Sequence, residues 1–253
     1  MIVSKKLNKF KNINHAFFNR NGGKSRGIYK SLNCGIGSLD KKKNIIKNLK
    51  IVCKKIGCSP KKLVLLNQVH SSKFTFIDKK YKFNSKKIRG DALITSTKNI
   101  ALGVLTADCV PVLIYDKKLK TISAIHAGWK GAYKDIVKKV VDYFIKIGSS
   151  PKNIYAVVGP CISRKNYEVQ KDFKYKFLKK DKKSNDFFKI KKKKTYFSLN
   201  NYVYNQLKQI GIKNLELINK NTFDKKNNFF SARRSAHNNE DDYGRNISII
   251  MIK

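Results

Sequence analysis

Two apolar periods alternate along the chain, and each change of period marks an element. Ile45, Ile46, Leu49, Val52, Cys53 and Ile56 recur on one helical face, and Asp40 stands where a capping residue would. Residues 63–69 and 73–77 have the composition of strands flanking a polar turn at 70–72. Four apolar runs of strand length follow, at 92–95, 100–105, 110–115 and 121–125, and the short turns between them predict neighbouring antiparallel strands. After Gly131 the helical period returns: Ile136, Val137, Val140, Val141, Phe144 and Ile145 share a face, and Gly148 ends it. Residues 154–158 predict another buried strand. Ser198 is placed to cap a helix carrying Leu199, Tyr202, Val203, Leu207 and Ile210, and 215–218 and 247–252 read as closing strands. The pattern predicts an α+β fold, mixed β-sheets packed against helices. No repeat or Pro/Gly/Ser-rich joint divides it, so residues 1–253 are expected to form a single domain.

Composition narrows the class. With 253 residues, 41% of them hydrophobic, the chain can bury a sizeable core. No apolar run reaches the roughly 18–20 residues of a membrane helix. Residues 1–11 are basic but lack the apolar centre of a signal peptide, so a cytoplasmic protein with no membrane partner is expected. Five cysteines, an odd number spread over the chain, do not make a disulfide framework. Cys53 falls among apolar helix positions and reads as core, whereas Cys109 sits among polar residues.

The net charge of +41, from 57 Lys and Arg against 16 Asp and Glu, invites a nucleic-acid reading. The excess, however, is mostly lysine, spread over nearly every segment including the polar faces of predicted helices. Asn and Ile are abundant too, and share A/T-rich codons with Lys. A generally solvated surface with no specific nucleic-acid partner is therefore expected, with weak salt-dependent RNA binding. Lysine runs at 41–43, 179–183 and 191–194 read as exposed, and 171–194, the most polar segment, is predicted to be mobile.

Reactive side chains recur where predicted strands end: Asn67-Gln68-Val69-His70, Thr106-Ala107-Asp108-Cys109 and His126-Ala127-Gly128-Trp129. His70, Cys109 and His126 lie too far apart in sequence for a zinc finger, whose ligands come in close pairs, but suit a site assembled from separate strand ends. Two imidazoles and a thiolate favour zinc, and three protein ligands leave a fourth position open, as a catalytic ion requires.

Taken with those segments, Arg20-Asn21-Gly22-Gly23, Ser31-Leu32-Asn33, Gly90-Asp91-Ala92, Gly159-Pro160-Cys161-Ile162, Phe230-Ser231-Ala232-Arg233-Arg234 and Tyr243-Gly244-Arg245 fall in an order that resembles the laccase-domain family. That family is also called multicopper polyphenol oxidase-like, purine nucleoside phosphorylase or peptidoglycan editing factor. The resemblance runs from about His15 to Ile252. It implies a layered sandwich similar to a toxin deamidase or cysteine hydrolase, and zinc at His70, Cys109 and His126, with copper as an alternative metal. It also implies purine nucleoside and phosphate as small-molecule partners, and phosphorolysis of adenosine, inosine and methylthioadenosine with adenosine deamination. The chain is expected to be a monomer or homodimer. Two places depart from the family pattern: Asn221-Thr222 stands where Cys-Thr is common, and the loop 235–243 is longer than in many members.

The reaction asks for further groups. Zinc lowers the pKa of bound water to about 7, and deamination by that route needs a proton shuttle. Asp108 is the nearest carboxylate in sequence, although strand alternation could turn it from the side that Cys109 faces, to a role orienting a ligand histidine. Phosphorolysis needs a cation that grips phosphate, for which Arg20, Arg233 and Arg234 are the candidates. Gln68 and Asn67 could hydrogen-bond the base or hold the turn, and Trp129 could stack on it or pack in the core. Three other readings compete: a hydrolase with Cys109 as nucleophile and His126 as base, editing peptidoglycan precursors; a basic RNA-associated protein without catalysis; and a copper oxidase, the weakest, since four histidines cannot build a multicopper array.

Overall fold

A computed structural model describes residues 1–83 and 88–253. Its elements are β1 (Ile13–Phe17), α1 (Lys42–Ile56), β2 (Leu63–Leu65), β3 (Phe74–Phe76), β4 (Ala92–Thr95), β5 (Ala101–Thr106), β6 (Val110–Asp116) and β7 (Thr121–Ala127). These are followed by α2 (Trp129–Tyr133), α3 (Ile136–Lys146), β8 (Ile154–Val158), β9 (Glu168–Val169), α4 (Lys171–Lys180), β10 (Phe188–Lys191) and β11 (Lys194–Phe197). The last four are α5 (Leu199–Gln209), β12 (Asn214–Leu217), α6 (Ala232–His237) and β13 (Asn246–Ile252).

Two mixed sheets stack at the centre. One has four strands in the order β1-β13-β5-β2, the other six in the order β12-β8-β6-β7-β4-β3. Strand alternation sorts the side chains into three layers. Leu113, Tyr115, Ile122 and Ala124 of the six-stranded sheet meet Leu102, Val104, Ile250 and Ile252 of the four-stranded sheet. The opposite face of the larger sheet, through Val112, Ile114 and Ile125, packs on Val140, Val141 and Phe144 of α3 and Val203 and Leu207 of α5. The outer face of the smaller sheet, through Ala101, Ile247 and Ile249, packs on Val52 and Ile56 of α1. Helix, sheet, sheet, helix is an α+β fold of mixed sheets packed against helices, as the pattern predicts, and the layered sandwich that the resemblance implies. Its central strands are apolar on successive residues because both of their faces are covered.

That double burial explains where the predicted pairing departs from the structure. Strand β7 is the antiparallel neighbour of β6, as expected, and of β4 on its other side, but β5 crosses to the other sheet and pairs with β13 and β2. A strand apolar on both faces can be satisfied in either sheet, so a short turn does not dictate a hairpin. Local capping also differs. Asp40 accepts from Ser25 Oγ and Asn33 Nδ2 instead of capping α1, and the Ser198 hydroxyl turns to Asn200 Oδ1. Strand character after Leu63 stops at Leu65. The lysine-rich stretch predicted to be mobile carries α4 and the β10–β11 hairpin. Phe177, fully buried, nails it to the core, stacked on Phe173 at 4.8 Å and edge-on to Tyr202 at 5.1 Å.

The N-terminus is tied to the smaller sheet through a neutral histidine on β1 and to the larger sheet through Glu216 on β12. Ser4 N donates to His15 Nε2 at 2.9 Å, and Ser4 Oγ to Glu216 Oε2 at 2.7 Å. Burial pushes the His15 pKa from 6.5 down to about 4, with nearby Glu216 opposing only in part. Because the folded value is the lower one, this stabilisation is complete above pH 6.5 and is lost as pH falls toward 4. We expect the wild-type chain to lose on the order of 2–3 kcal/mol across that window and His15→Gln to lose less, measured by urea unfolding at several pH values. Equal losses in the two proteins would remove His15 as the cause.

Candidate metal centre

The chain crosses between the two sheets twice near one end of the sandwich, and the reactive residues sit on those crossings. The β2–β3 connection carries His70, the β5–β6 connection carries Cys109, and β7 brings His126 beside them, one residue before its end. His70 at φ +55 and Asp108 at φ +84 are both in the left-handed region, a conformation that turns each crossing sharply enough to aim its reactive group inward. The ligating atoms of His70, Cys109 and His126 all lie within 4.8 Å of one another. Cys109 Sγ is 3.8 Å from His70 Nε2, and the imidazoles meet edge to face at 4.8 Å. Tetrahedral zinc with ordinary bond lengths spaces N and S donors roughly 3.3–3.6 Å apart. The set fits a divalent ion with little adjustment, and exposure graded from open His70 to buried His126 leaves one side accessible.

A buried carboxylate organises the set. Asp91, fully buried, accepts from His70 N at 3.0 Å and from Ser71 N and Oγ at 2.6 and 2.7 Å, while Oδ1 pairs with His126 Nδ1 at 2.8 Å. His126 N donates to the Asp91 carbonyl at 2.7 Å. Burial raises the Asp91 pKa, but hydrogen bonds from His126 and Ser71 outweigh it and bring it to about 2. Engaged at Nδ1, His126 has Nε2 left for a ligand role, and its anionic partner makes that nitrogen more basic. Burial pushes His126 down and Cys109 up, yet each is moved further the other way by its neighbours. Cys109 and Asp91 raise the imidazole to about 9, and His126 and His70 lower the thiol to about 7. Close approach requires a glycine: a Cβ at Gly128 would lie 2.7 Å from His70 Cδ2 and 3.1 Å from Cys109 Sγ.

A pocket of about 360 Å³ opens on this cluster. Ile36, Leu66 and Leu105 are apolar residues of its lining, and Asn67, Gln68, Thr106, Tyr243 and Arg245 polar ones.

The chain is matched by the family model described as multi-copper polyphenol oxidoreductase laccase over residues 14–253. It belongs to that family. A purine nucleoside phosphorylase of Bacteroides thetaiotaomicron is 33% identical over 264 aligned positions, covering 100% of this chain and 96% of that one. A purine nucleoside phosphorylase of Rickettsia conorii is 37% identical over 76% of this chain and 78% of its own length. The crystal structure of a Bacillus licheniformis hypothetical protein, YfiH, superposes with a TM-score of 0.87 at 28% identity, covering 95% of this chain and 93% of that chain. Among the described residues, one group of three or more His, Cys, Asp or Glu side chains can hold an ion, and none of their helices is long and apolar enough to cross a membrane.

Within this family member, other residues singled out from the sequence lie elsewhere. Asp108, expected near the reacting atoms, turns its carboxylate to the C-terminal segment and accepts from Thr222 Oγ1, Ser231 Oγ and Arg233 N. The left-handed turn at Asp108, between β5 and β6, points it to that segment, and Asp91 holds the histidines. Gln68 lines the pocket, but its amide donates to Leu105 O and accepts from Leu105 N. Arg20 and Arg234 line a different cavity. Arg234 donates to the carbonyls of Thr222, Phe223 and Phe229, and Arg20 lies 4.8 Å over Phe230. Arg233 donates to Glu168 O at 3.1 Å and stacks on Tyr167. Trp129 packs on Phe173 at 5.1 Å, away from the pocket wall. Asp91 and Arg245 were visible as motif residues, but nothing in the linear sequence assigned them these positions.

Asp91→Asn keeps the side-chain volume while removing the charge that orients His126. It is expected to weaken zinc binding roughly 10- to 100-fold in a chelator competition, with the fold retained. Gly128→Ala is expected to weaken it as well, because the new methyl occupies the space of two donors. Unchanged zinc affinity in both variants would remove this cluster as the metal site.

Proposed function

We propose that this protein is a zinc-dependent purine nucleoside phosphorylase that also deaminates adenosine. The observation that carries the reading is the His70–Cys109–His126 cluster in the lining of a pocket that has both apolar and polar residues. The names of the relatives at 33% and 37% identity support it. A volume of about 360 Å³ suits a small ligand, and a lining of both apolar and polar residues suits a heterocycle joined to a hydroxylated sugar. Adenosine, inosine and methylthioadenosine share that build, with phosphate as the second substrate.

His70, Cys109 and His126 would hold the zinc ion, and when bound it supplies a Lewis acid with a vacant position. Copper is the alternative occupant that the family description suggests. The chain's own residues do the rest by placement. Asp91 fixes the tautomer and orientation of His126. Gln68 pins the end of β5, through Leu105, against the β2–β3 connection. Asn67 and Thr106 face the cavity as hydrogen-bonding groups for base or sugar, and Ile36, Leu66 and Leu105 keep water from the heterocycle. We assign Asp108 a positioning role: its three hydrogen bonds hold the turn that presents Cys109. The Cys109–His126 pair also has the composition of a nucleophile and base, so a cysteine hydrolase is the reading to separate.

Product analysis makes that separation. With adenosine and inorganic phosphate the zinc-loaded protein is expected to form adenine and ribose 1-phosphate, and without phosphate to form inosine. Chelation and Cys109→Ser should each reduce both activities by at least about 100-fold. Undiminished turnover in chelator would favour the hydrolase, and no turnover of any purine nucleoside would end the nucleoside reading.

A further inference from the structure

Phosphorolysis needs a cation beside the metal, and the three arginines chosen from sequence lie outside the pocket wall. We infer that Arg245 forms an anion subsite in the metal pocket and grips the inorganic phosphate, an inference that rests on the phosphorolysis reading.

Among the described residues, Arg245 is the one guanidinium or ammonium side chain on that wall. Its place follows from the sheet register. Asn246 pairs with Thr106 at the end of β13 and β5, so Arg245 lies just past the last pair, beside the turn that carries Cys109. Its backbone is clamped on both sides: Arg245 N donates to Asn33 Oδ1 at 2.9 Å, and Cys34 N donates to Arg245 O at 3.1 Å.

The side chain is held without being consumed. The guanidinium lies 4.6 Å over the Tyr243 ring, Nη1 donates to Tyr243 O at 3.1 Å, and Nη2 is 3.7 Å from Asp242 Oδ1. Asp242 is itself fixed, its Oδ2 accepting from Tyr29 Oη and Leu39 N. A guanidinium has five N–H donors, and these contacts leave donors for a ligand. Gly35 makes room for the stem, since a Cβ there would lie 2.9 Å from Arg245 Cδ. A planar cation lining the same pocket as the His70–Cys109–His126 cluster matches a compact multivalent oxyanion, because phosphate oxygens accept two parallel N–H bonds. Arg234, in contrast, already donates to three carbonyls.

The test measures orthophosphate binding to zinc-loaded protein by calorimetry, together with the separate KM values of phosphate and adenosine. Arg245→Gln is expected to weaken orthophosphate binding at least about tenfold, the loss of a charge-assisted contact, and to raise the phosphate KM to match. Zinc content and adenosine affinity should stay within about twofold of wild type. Arg245→Met is the second neutral variant should Gln fail to fold, and Arg20→Gln, the competing candidate, should bind orthophosphate as wild type does. Wild-type phosphate binding in Arg245→Gln or Arg245→Met, or its loss in Arg20→Gln instead, overturns the assignment. Should phosphate binding depend on Arg245 while adenosine is converted without consuming phosphate, the anion subsite stands and phosphorolysis falls.

Discussion

One buried carboxylate holds the site together. Asp91 reaches two candidate ligands by different routes, the main chain at His70 and the imidazole of His126. The residues it joins lie on a connection and on a strand, the β2–β3 link and β7, so Asp91 holds the cluster together while it stays ionised and hydrogen-bonded. A carboxylate so deep in the protein is costly unless its acceptor sites are filled, and here hydrogen bonds from Ser71, His70 and His126 fill them. The cost of burial and the precision of the site therefore have the same origin.

Much of the architecture was legible because double burial writes itself into the sequence. The runs around Leu102 and Val112 are almost continuously apolar, and such runs mark strands covered on both faces. The same property hid the topology. A run satisfied on both faces does not say which sheet it joins, so β5 read as a partner of β4 and β6 when it belongs beside β13. Side-chain pattern determines layers well and pairing poorly. Pairing here depends on a C-terminal strand that arrives far later in the chain.

Legibility of the site followed a similar line. His70, Cys109 and His126 stood out because unusual residue types end apolar runs, a local signal. The contacts of Gln68, Asp108 and Asp91 are not local. Gln68 closes on Leu105 as a strand would, and Asp108 faces Thr222 and Ser231 from the opposite end of the chain. Arginines drew attention through their neighbours, Arg20 by its glycines and Arg233 and Arg234 by each other, yet which guanidinium faces the pocket depends on the register of β13 against β5. Surface charge is equally uninformative here. A second cavity is lined by Arg164, Lys165, Lys189, Lys191, Lys192 and Lys194, whereas the metal pocket has Arg245 alone.

The choice between a metal ion and a nucleophile–base pair turns on His70. A cysteine hydrolase needs one imidazole to accept a proton from sulfur, and His126, oriented by Asp91, would suffice. The second imidazole has its own supports: a left-handed backbone at His70, a hydrogen bond from its main chain to Asp91, and a glycine at 128 that clears its approach to Cys109. These features bring a third donor toward the same centre from the opposite crossing, where proton transfer has no use for it. A divalent ion uses all three. The proximity of Cys109 and His126 lowers the pKa of the thiol and raises that of the imidazole; a divalent ion would take the place of the proton between them, and Asp91 would then stabilise a metal-bound imidazole. Convergence of two independently supported histidines on one sulfur is the feature that favours the metal.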